Sequence, residues 1–124
     1  RIMLAIKSIL AGEDEIDTMI FDEIDTGIGG VTAQKMAEKI AVISQNGQVI
    51  CITHLPQIAS FADRHIKINK VSIEGRTQTL LNVLDEAGRV DELMRMTAGE
   101  NTSDAARRNA EELLANAANF KNAR

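Results

Sequence analysis

A short apolar run leads into two adjacent carboxylates and a glycine-rich turn in residues 18–30, which read TMIFDEIDTGIGG. The run covers residues 16–21, and its length predicts a strand buried on both faces, as in a parallel sheet. A buried strand does not continue through two carboxylates, so we expect Asp22 and Glu23 at its carboxyl end. Ligands bind at that end in open α/β sheets. Taken alone, the pair is explained equally well by a solvated acidic turn.

An amphipathic helix and a second strand follow the turn. The helix has Gly30 or Thr32 as its predicted N-cap and ends near the turn signal of residues 45–47. Its apolar face is predicted to contain Val31, Met36, Ala37, Ile40, Ala41 and Ile43. The second strand covers residues 48–53.

The order strand, helix, strand brings polar residues from both strands together. About 30 residues separate the strand starts, which is the size of a right-handed crossover between parallel strands. The second strand ends at Thr53 and His54. If the strands are neighbours, Asp22, Glu23 and His54 converge on one edge of the sheet.

A short helix and a hairpin are predicted next. Residues 55–62 are typical of a short helix with a proline in its first turn. Residues 64–72 and 77–84 flank the turn signal at 74–75, so we expect an antiparallel hairpin with solvated charges.

Two helices complete the predicted elements. The first begins near residue 86 and ends near residues 97–99, and its Leu and Met residues are expected in the core. The second covers residues 102–118 with Thr102 or Ser103 as its N-cap, and we expect residues 119–124 to fray.

Composition limits the class of protein. With 124 residues, the chain suits one domain, and 2% aromatic content requires a core of aliphatic, Met and Ala side chains. A net charge of −4 excludes an electrostatic DNA clamp. The one cysteine, Cys51, is expected to be a small buried hydrophobe. No signal peptide or run of membrane-spanning length occurs, so we expect a cytoplasmic location and no membrane partner.

The start of the chain indicates a segment of a longer protein. Arg1 precedes a helical pattern over residues 2–10 with no N-cap residue before it. We therefore expect the helix to expose an apolar surface when the chain is isolated. Such a surface favours self-association into a dimer or a larger species.

The predicted cluster at the strand ends suits phosphoryl chemistry. Asp22 can hold Mg²⁺ through water, because Mg²⁺ prefers oxygen ligands and keeps much of its hydration. Glu23 can orient or polarise the attacking water. His54 can hydrogen-bond a terminal phosphate. Each residue alone is explained by an ordinary structural or solvent-exposed position, whereas the three together in this order are more specific for phosphoryl chemistry.

These motifs resemble those of a known ATPase family. Residues 18–23 resemble the Walker B strand of ABC-type ATPases, and residues 50–54 resemble the strand and switch histidine that follow it. FDEIDTGIGG at 21–30 and THLPQIA at 53–59 resemble the RecN family of SMC-like repair ATPases. Residues 1–7 resemble the helix after the ABC signature loop. The resemblance covers nearly the whole chain, most strongly residues 1–63.

The resemblance implies a fold and roles for individual residues. Residues 1–124 would form the C-terminal lobe of a P-loop NTPase head of the ABC/SMC type. Asp22 would support Mg²⁺, Glu23 would be the hydrolytic carboxylate, and His54 would be the switch residue at the γ-phosphate of ATP. Asp25 matches the second acidic position of SMC-like heads, beside the bound nucleotide.

The glycines after the carboxylates differ from the usual family pattern. The family's D-loop ends in an Asp seven positions after the Walker B Asp, and position 22 + 7 = 29 is Gly29 here. The resemblance puts Gly27, Gly29 and Gly30 near the nucleotide, where they let the backbone turn tightly at a head–head interface. They are not a phosphate loop, because no Gly-x-x-x-x-Gly-Lys-Ser/Thr motif occurs.

The resemblance also implies partners outside this sequence. A phosphate loop, a Gln loop, a signature loop and a coiled coil would precede Arg1, and ATP would lie between two heads of a homodimer. The full-length protein would be a nucleoid-associated ATPase that contacts DNA in double-strand break repair and recombination. We expect the isolated chain neither to bind ATP tightly nor to hydrolyse it.

Other readings of the sequence remain. A non-catalytic interaction module would use the acidic turn and the Met-rich C-terminal helices to dock a partner. A head fragment of another SMC or RecF-like ATPase is a closer rival, but the Gly-Ile-Gly-Gly turn argues against it. A receiver domain also has carboxylates at strand ends, yet no Lys ends a third parallel strand here.

Overall fold

The computed structural model describes residues 17–100 and 102–124. The predicted helix at residues 2–10 and the start of the first predicted strand lie outside these residues. The elements in chain order are β1 (Thr18–Asp22), α1 (Gly30–Ile43), β2 (Gln48–Ile52), α2 (Pro56–Ala59), β3 (Ile66–Ile73), β4 (Arg76–Val83), α3 (Glu86–Ala98) and α4 (Asp104–Asn122).

The parallel crossover is confirmed. β1 and β2 pair in parallel, in a register that runs from Thr18 opposite Gln48 to Asp22 opposite Ile52. Alternate residues of β1 point inward, and Met19 and Phe21 are buried in a core shared with α1. Apolar residues recur at every second position of β1 and about every 3.6 positions of α1. The strand and the helix therefore each present one apolar face, and these two faces pack together.

The expectation that the first strand is buried on both faces is wrong. Ile20 is 66% exposed, and Ile50 and Ile52 on the neighbouring strand are 44% and 43% exposed. These side chains share the face opposite α1, and nothing in the described part of the chain covers it. The continuous apolar pattern predicts burial on both faces, but among the described residues only the face towards α1 is packed.

Helix α1 begins differently from the prediction. Its N-cap is Gly29, with φ −166° and no side-chain cap, so neither Gly30 nor Thr32 is the cap. Val31 is 73% exposed because it lies in the first turn, away from the packed face, and Ala33 is buried instead. The remaining predicted apolar positions are buried as expected, namely Met36, Ala37, Ile40, Ala41 and Ile43.

Helix α2 is shorter than the predicted residues 55–62. Pro56 occupies its first position after the Leu55 N-cap, as predicted. The α-helical bonds give way to i to i+3 bonds, because Phe61 N–H donates to Ile58 O and Ala62 N–H to Ala59 O, both at 3.1 Å. This tighter turn brings Phe61 into the core.

The predicted hairpin is confirmed. β3 and β4 pair antiparallel from Ile66 opposite Val83 to Ile73 opposite Arg76. The two loop residues, Glu74 and Gly75, have φ 50° and 75°, as the preferred two-residue hairpin turn requires. Every residue of β4 is exposed.

Helices α3 and α4 pack together in a second small core. Leu93 is fully buried and Met94 is 7% exposed, against Ala106 and Ala110 of α4. The prediction that the Leu and Met residues of α3 enter the core is therefore confirmed. These side chains are not exposed for the partner docking that the interaction-module alternative requires.

The ends of α4 test two predictions. Ser103 is the N-cap, since its hydroxyl accepts a 3.2 Å hydrogen bond from Ala106 N–H. Fraying of residues 119–124 is wrong, because the helix continues to Asn122. Phe120 packs on Phe61, and Lys121 Nζ lies 2.6 Å from Asp63 Oδ1.

No helix among residues 17–100 and 102–124 combines the length and apolar character needed to cross a membrane.

Candidate functional site

The carboxyl ends of β1 and β2 meet at one edge of the sheet. Asp22 is opposite Ile52, and Glu23 N–H donates a 3.1 Å hydrogen bond to Ile52 O. Thr53 and His54 follow directly, so the polar residues after each strand occupy the same edge. This is the arrangement that the predicted crossover requires.

The backbone at Glu23 adopts an uncommon conformation. Its φ is 51°, in the left-handed region that few non-glycine residues occupy. Several hydrogen bonds hold it there: the Glu23 N–H bond to β2, and a Glu23 carbonyl that accepts from Thr26 N–H at 3.4 Å and from Thr26 Oγ1 at 2.9 Å. Strained conformations fixed in this way are frequent at functional sites.

Two carboxylates at this edge face solvent. Asp22 and Glu23 are both exposed. Among the described residues, no hydrogen bond or ion pair engages either carboxylate. Both side chains are therefore accessible to a hydrated cation or to a water molecule.

Asp25 occupies a different environment from its two acidic neighbours. Its side chain is 0% exposed, and its Oδ2 accepts hydrogen bonds from the Thr53 hydroxyl and from His54 N–H, the latter at 3.2 Å. Its Oδ1 is buried and has no hydrogen-bond partner within the described part of the chain. Asp25 thus joins the turn after β1 to the residues after β2.

The His54 ring lies between Asp25 and solvent. Its Nδ1 is 3.4 Å from Asp25 Oδ2, while the side chain is 67% exposed. Most of the ring surface is therefore open to a ligand.

Sequence reasoning did not identify Thr53 as a site residue. Its hydroxyl donates to Asp25 and accepts a 3.0 Å hydrogen bond from Leu55 N–H. The strand register was the signal that could have found it, because the residue after Ile52 must lie near the turn that follows Asp22.

The three glycines of the turn have different backbone requirements. Gly27 and Gly30 have φ 75° and 53°, which favour glycine, whereas Gly29 is extended at φ −166°. A Cβ built at any of the three meets no atom of the described residues within 4 Å. The described residues therefore form an open turn here and not a closed phosphate cradle.

Cys51 is on the inner face of β2 and is half-buried. Burial and the nearby Asp25 carboxylate raise the pKa of its thiol to about 11. A thiol with that pKa is protonated at neutral pH and is a poor nucleophile, which agrees with the predicted structural role.

The residues present fit a hydrated Mg²⁺ but not a protein-built metal cage. Within the described part of the chain, no three His, Cys, Asp or Glu side chains cluster as metal ligands. Mg²⁺ is usually held by one or two carboxylates together with waters and substrate phosphates. The exposed Asp22 carboxylate is of the kind that could serve as one such ligand.

Known proteins resemble this chain over nearly its whole length. It is 47% identical over 121 residues to DNA repair protein RecN of Bacillus subtilis, a match that covers 98% of this chain and 21% of the relative. It is 44% identical over 121 residues to DNA repair protein RecN of Halalkalibacterium halodurans, with the same two shares. It is also 46% identical over 114 residues to that of Treponema pallidum, covering 92% of the chain and 20% of the relative.

The chain matches a C-terminal segment of RecN. It spans about a fifth of the length of these RecN relatives. A match that covers 98% of the chain includes the candidate site at the ends of β1 and β2. No protein-family model matches the chain.

Proposed function

We propose that this chain is part of the ATPase head of an SMC-like, ABC-type protein that acts in DNA repair. The observation that carries the proposal is the meeting of two exposed carboxylates and an exposed histidine at the carboxyl ends of two parallel strands. The resemblance of these residues to Walker B and switch-histidine motifs supports it, as do relatives named DNA repair protein RecN.

In this proposal each residue has a separate role. Asp22 binds Mg²⁺, chiefly through water, and the ion when bound neutralises charge on the ATP phosphates. Glu23 accepts a proton from the attacking water and orients it. His54 donates a hydrogen bond to the γ-phosphate. The fixed left-handed backbone at Glu23 supports its role, because it sets the direction in which the side chain leaves the strand.

The phosphate cradle is proposed to come from other parts of a longer RecN-like protein. No phosphate-loop motif occurs in this sequence, and the turn at Gly27, Gly29 and Gly30 is open. An N-terminal lobe, a coiled coil and a second identical head are the proposed partners. The exposed aliphatic face of Ile20, Ile50 and Ile52 supports docking to further protein, because such faces are normally covered.

Contacts with DNA are assigned to other parts of the proposed protein. The net charge of −4 does not favour phosphate binding by this segment. A cytoplasmic, nucleoid-associated location follows from the proposed role in double-strand break repair and recombination.

The test is ATP hydrolysis by the complete product of the gene that encodes this chain. Replacing Glu23 by Gln is expected to lower kcat by about 10²- to 10⁴-fold, the usual contribution of a general base. Glu111→Gln is the matched control, since Glu111 is an exposed carboxylate on α4 that pairs with Arg107 at 3.6 Å. Hydrolysis by Glu23→Gln at the wild-type rate would overturn the proposal.

The isolated chain provides a second test. Residues 1–124 alone are expected to show no ATP turnover, because they contain no phosphate-loop motif. Turnover by the isolated chain that disappears in Glu23→Gln would show that the cradle is not needed, and would contradict this part of the proposal.

A further inference from the structure

One buried carboxylate contacts three groups at the end of β2. Asp25 Oδ2 accepts from the Thr53 hydroxyl and from His54 N–H, and the His54 Nδ1 atom lies 3.4 Å away. The same residue therefore contacts both the main chain and the ring of His54. Asp22 and Glu23, by contrast, are exposed and make no such contact within the described residues.

The Thr53 hydroxyl links Asp25 to the main chain of Leu55 through two consecutive hydrogen bonds. Leu55 N–H donates to Thr53 Oγ1 at 3.0 Å, and Thr53 donates in turn to Asp25. A hydroxyl has only one proton, so Thr53 donates to Asp25 and can only accept the hydrogen bond from Leu55 N–H. This turn sets the position at which the chain leaves β2, and therefore the position of the His54 Cα.

We propose that Asp25 is a positioning residue for His54, and that Thr53 assists it. The inference rests on the proposed function, in which His54 hydrogen-bonds the γ-phosphate. With Nδ1 held towards a buried carboxylate, the opposite ring nitrogen, Nε2, is presented to solvent in one orientation. This role differs from direct nucleotide contact, because the side chain of Asp25 is 0% exposed.

Asp25 Oδ1, which has no hydrogen-bond partner among the described residues, supports a functional role. A buried carboxylate oxygen without a hydrogen-bond partner is unfavourable for folding, and such groups are uncommon in native structures. An Asn at this position would keep the shape and lose the charge. An Asp that only closed the turn would not need to face an imidazole.

The first test measures the His54 ring in the isolated chain. In ¹⁵N NMR spectra, the neutral ring is expected to favour the Nδ1–H tautomer, because the negative charge of Asp25 favours an N–H group on the side of the ring that faces it. Asp25→Asn is expected to shift the ring towards the Nε2–H tautomer. Thr53→Val is a second variant that leaves the carboxylate in place, and it is expected to produce a smaller shift in the same direction.

The matched control is Glu92→Gln. Glu92 is another buried carboxylate, 6% exposed, and it pairs with Lys67 and Arg95 away from His54. Its replacement is expected to change stability and to leave the His54 ring signals unchanged. If Asp25→Asn and Thr53→Val also leave the ring signals unchanged, the inference is wrong.

The second test uses ATP hydrolysis by the complete gene product. Asp25→Asn and Thr53→Val are expected to lower kcat by about 10-fold or more, with KM for ATP changed by less than about threefold. Thr53→Ser keeps the hydroxyl and is expected to retain activity. This rescue distinguishes positioning from a loss of folding.

The two proposals fail in different ways. If Glu23→Gln has no effect on hydrolysis, the proposed ATPase function is wrong. If Glu23→Gln abolishes hydrolysis while Asp25→Asn and Thr53→Val retain wild-type kcat, only the positioning role is wrong.

Discussion

Phe61 and Phe120 pack edge to face, with ring centroids 5.7 Å apart and ring planes at 61°. Phe61 follows α2 and is 6% exposed, whereas Phe120 lies in the last turn of α4. The Arg124 guanidinium lies over the Phe120 ring, 5.2 Å from its centroid. The contact joins the C-terminal helix to the core that supports β1 and β2.

Removal of this aromatic contact should destabilise the chain. Phe120→Ala is expected to lower the free energy of unfolding by about 2 kcal/mol, less than for a fully buried Phe, because Phe120 is half-buried. Urea denaturation of the isolated chain measures the effect. Asn119→Ala, at the exposed neighbouring position, is the control and is expected to change stability by less than about 0.5 kcal/mol. Equal stability of both variants would show that the end of α4 does not contribute.

Local sequence signals predicted most elements, and long-range packing explains the failures. The crossover and the hairpin follow from apolar periodicity and from turn residues such as Gly75. The extent of α4 was not predictable, because it depends on Phe120 meeting Phe61 across the fold. Exposure of Ile20 was missed, because periodicity indicates an apolar side chain and not what covers it.

The candidate site was predictable in position but not in its contacts. The convergence of Asp22, Glu23 and His54 follows from the parallel topology. The burial of Asp25 and its bond with Thr53 depend on the path of the turn, which no spacing rule specifies. The three acidic residues are within four positions of one another, yet only the structure separates two exposed carboxylates from a buried one.

The backbone conformations in the glycine turn predict which of its glycines tolerate replacement by Ala. Gly27→Ala and Gly30→Ala are each expected to destabilise the chain by about 1 kcal/mol, because both positions have a left-handed φ. Gly29→Ala is expected to cost less, about 0.5 kcal/mol, since Gly29 is extended and no described atom lies near an added Cβ; the remaining loss reflects the preference for Gly over Ala at a helix N-cap. Urea denaturation of the three variants tests the order, and a loss at Gly29 as large as at Gly27 would contradict it.

Stability is expected to depend on pH through a buried histidine. His65 is 9% exposed, and none of the residues that the structure describes forms a hydrogen bond with its Nδ1. Burial lowers the pKa of His65 below its ordinary value of 6.5. The positive charges of Arg89 and Lys67 lower this pKa further, whereas the negative charge of Glu92 raises it. Below about pH 6.5 the unfolded chain binds a proton that the folded chain does not, so stability falls as pH falls through this range.

The His65→Leu variant tests this pH dependence. Its free energy of unfolding is expected to be nearly constant between about pH 7 and 5.5, where that of the wild type declines. Glu92→Gln is the control: burial disfavours the Glu92 charge, but hydrogen bonds from Arg95 and Lys67 outweigh this and lower its pKa below 4.5. Stability from Glu92 is therefore lost only below about pH 4.5, and this variant keeps the decline near pH 6. An unchanged decline in His65→Leu would contradict the assignment.

The face of the sheet that no described residue covers should promote self-association of the isolated chain. Ile20 and Ile50 are opposite each other on β1 and β2, and Ile52 extends the apolar surface along the same face. Association removes this area from water, which is favourable by about 25 cal/mol of free energy per Å² of apolar surface buried. We therefore expect sedimentation velocity to show a dimer or a larger species as concentration rises.

The double variant Ile20→Ser/Ile50→Ser is expected to weaken this association by about tenfold or more, because two exposed apolar side chains no longer leave water. Val31→Ser is the matched control, since Val31 is 73% exposed in the first turn of α1 and outside this face. It is expected to associate as the wild type does. A wild-type chain that stays monomeric at all concentrations, or a double variant that associates as the wild type does, would show that this face is not responsible.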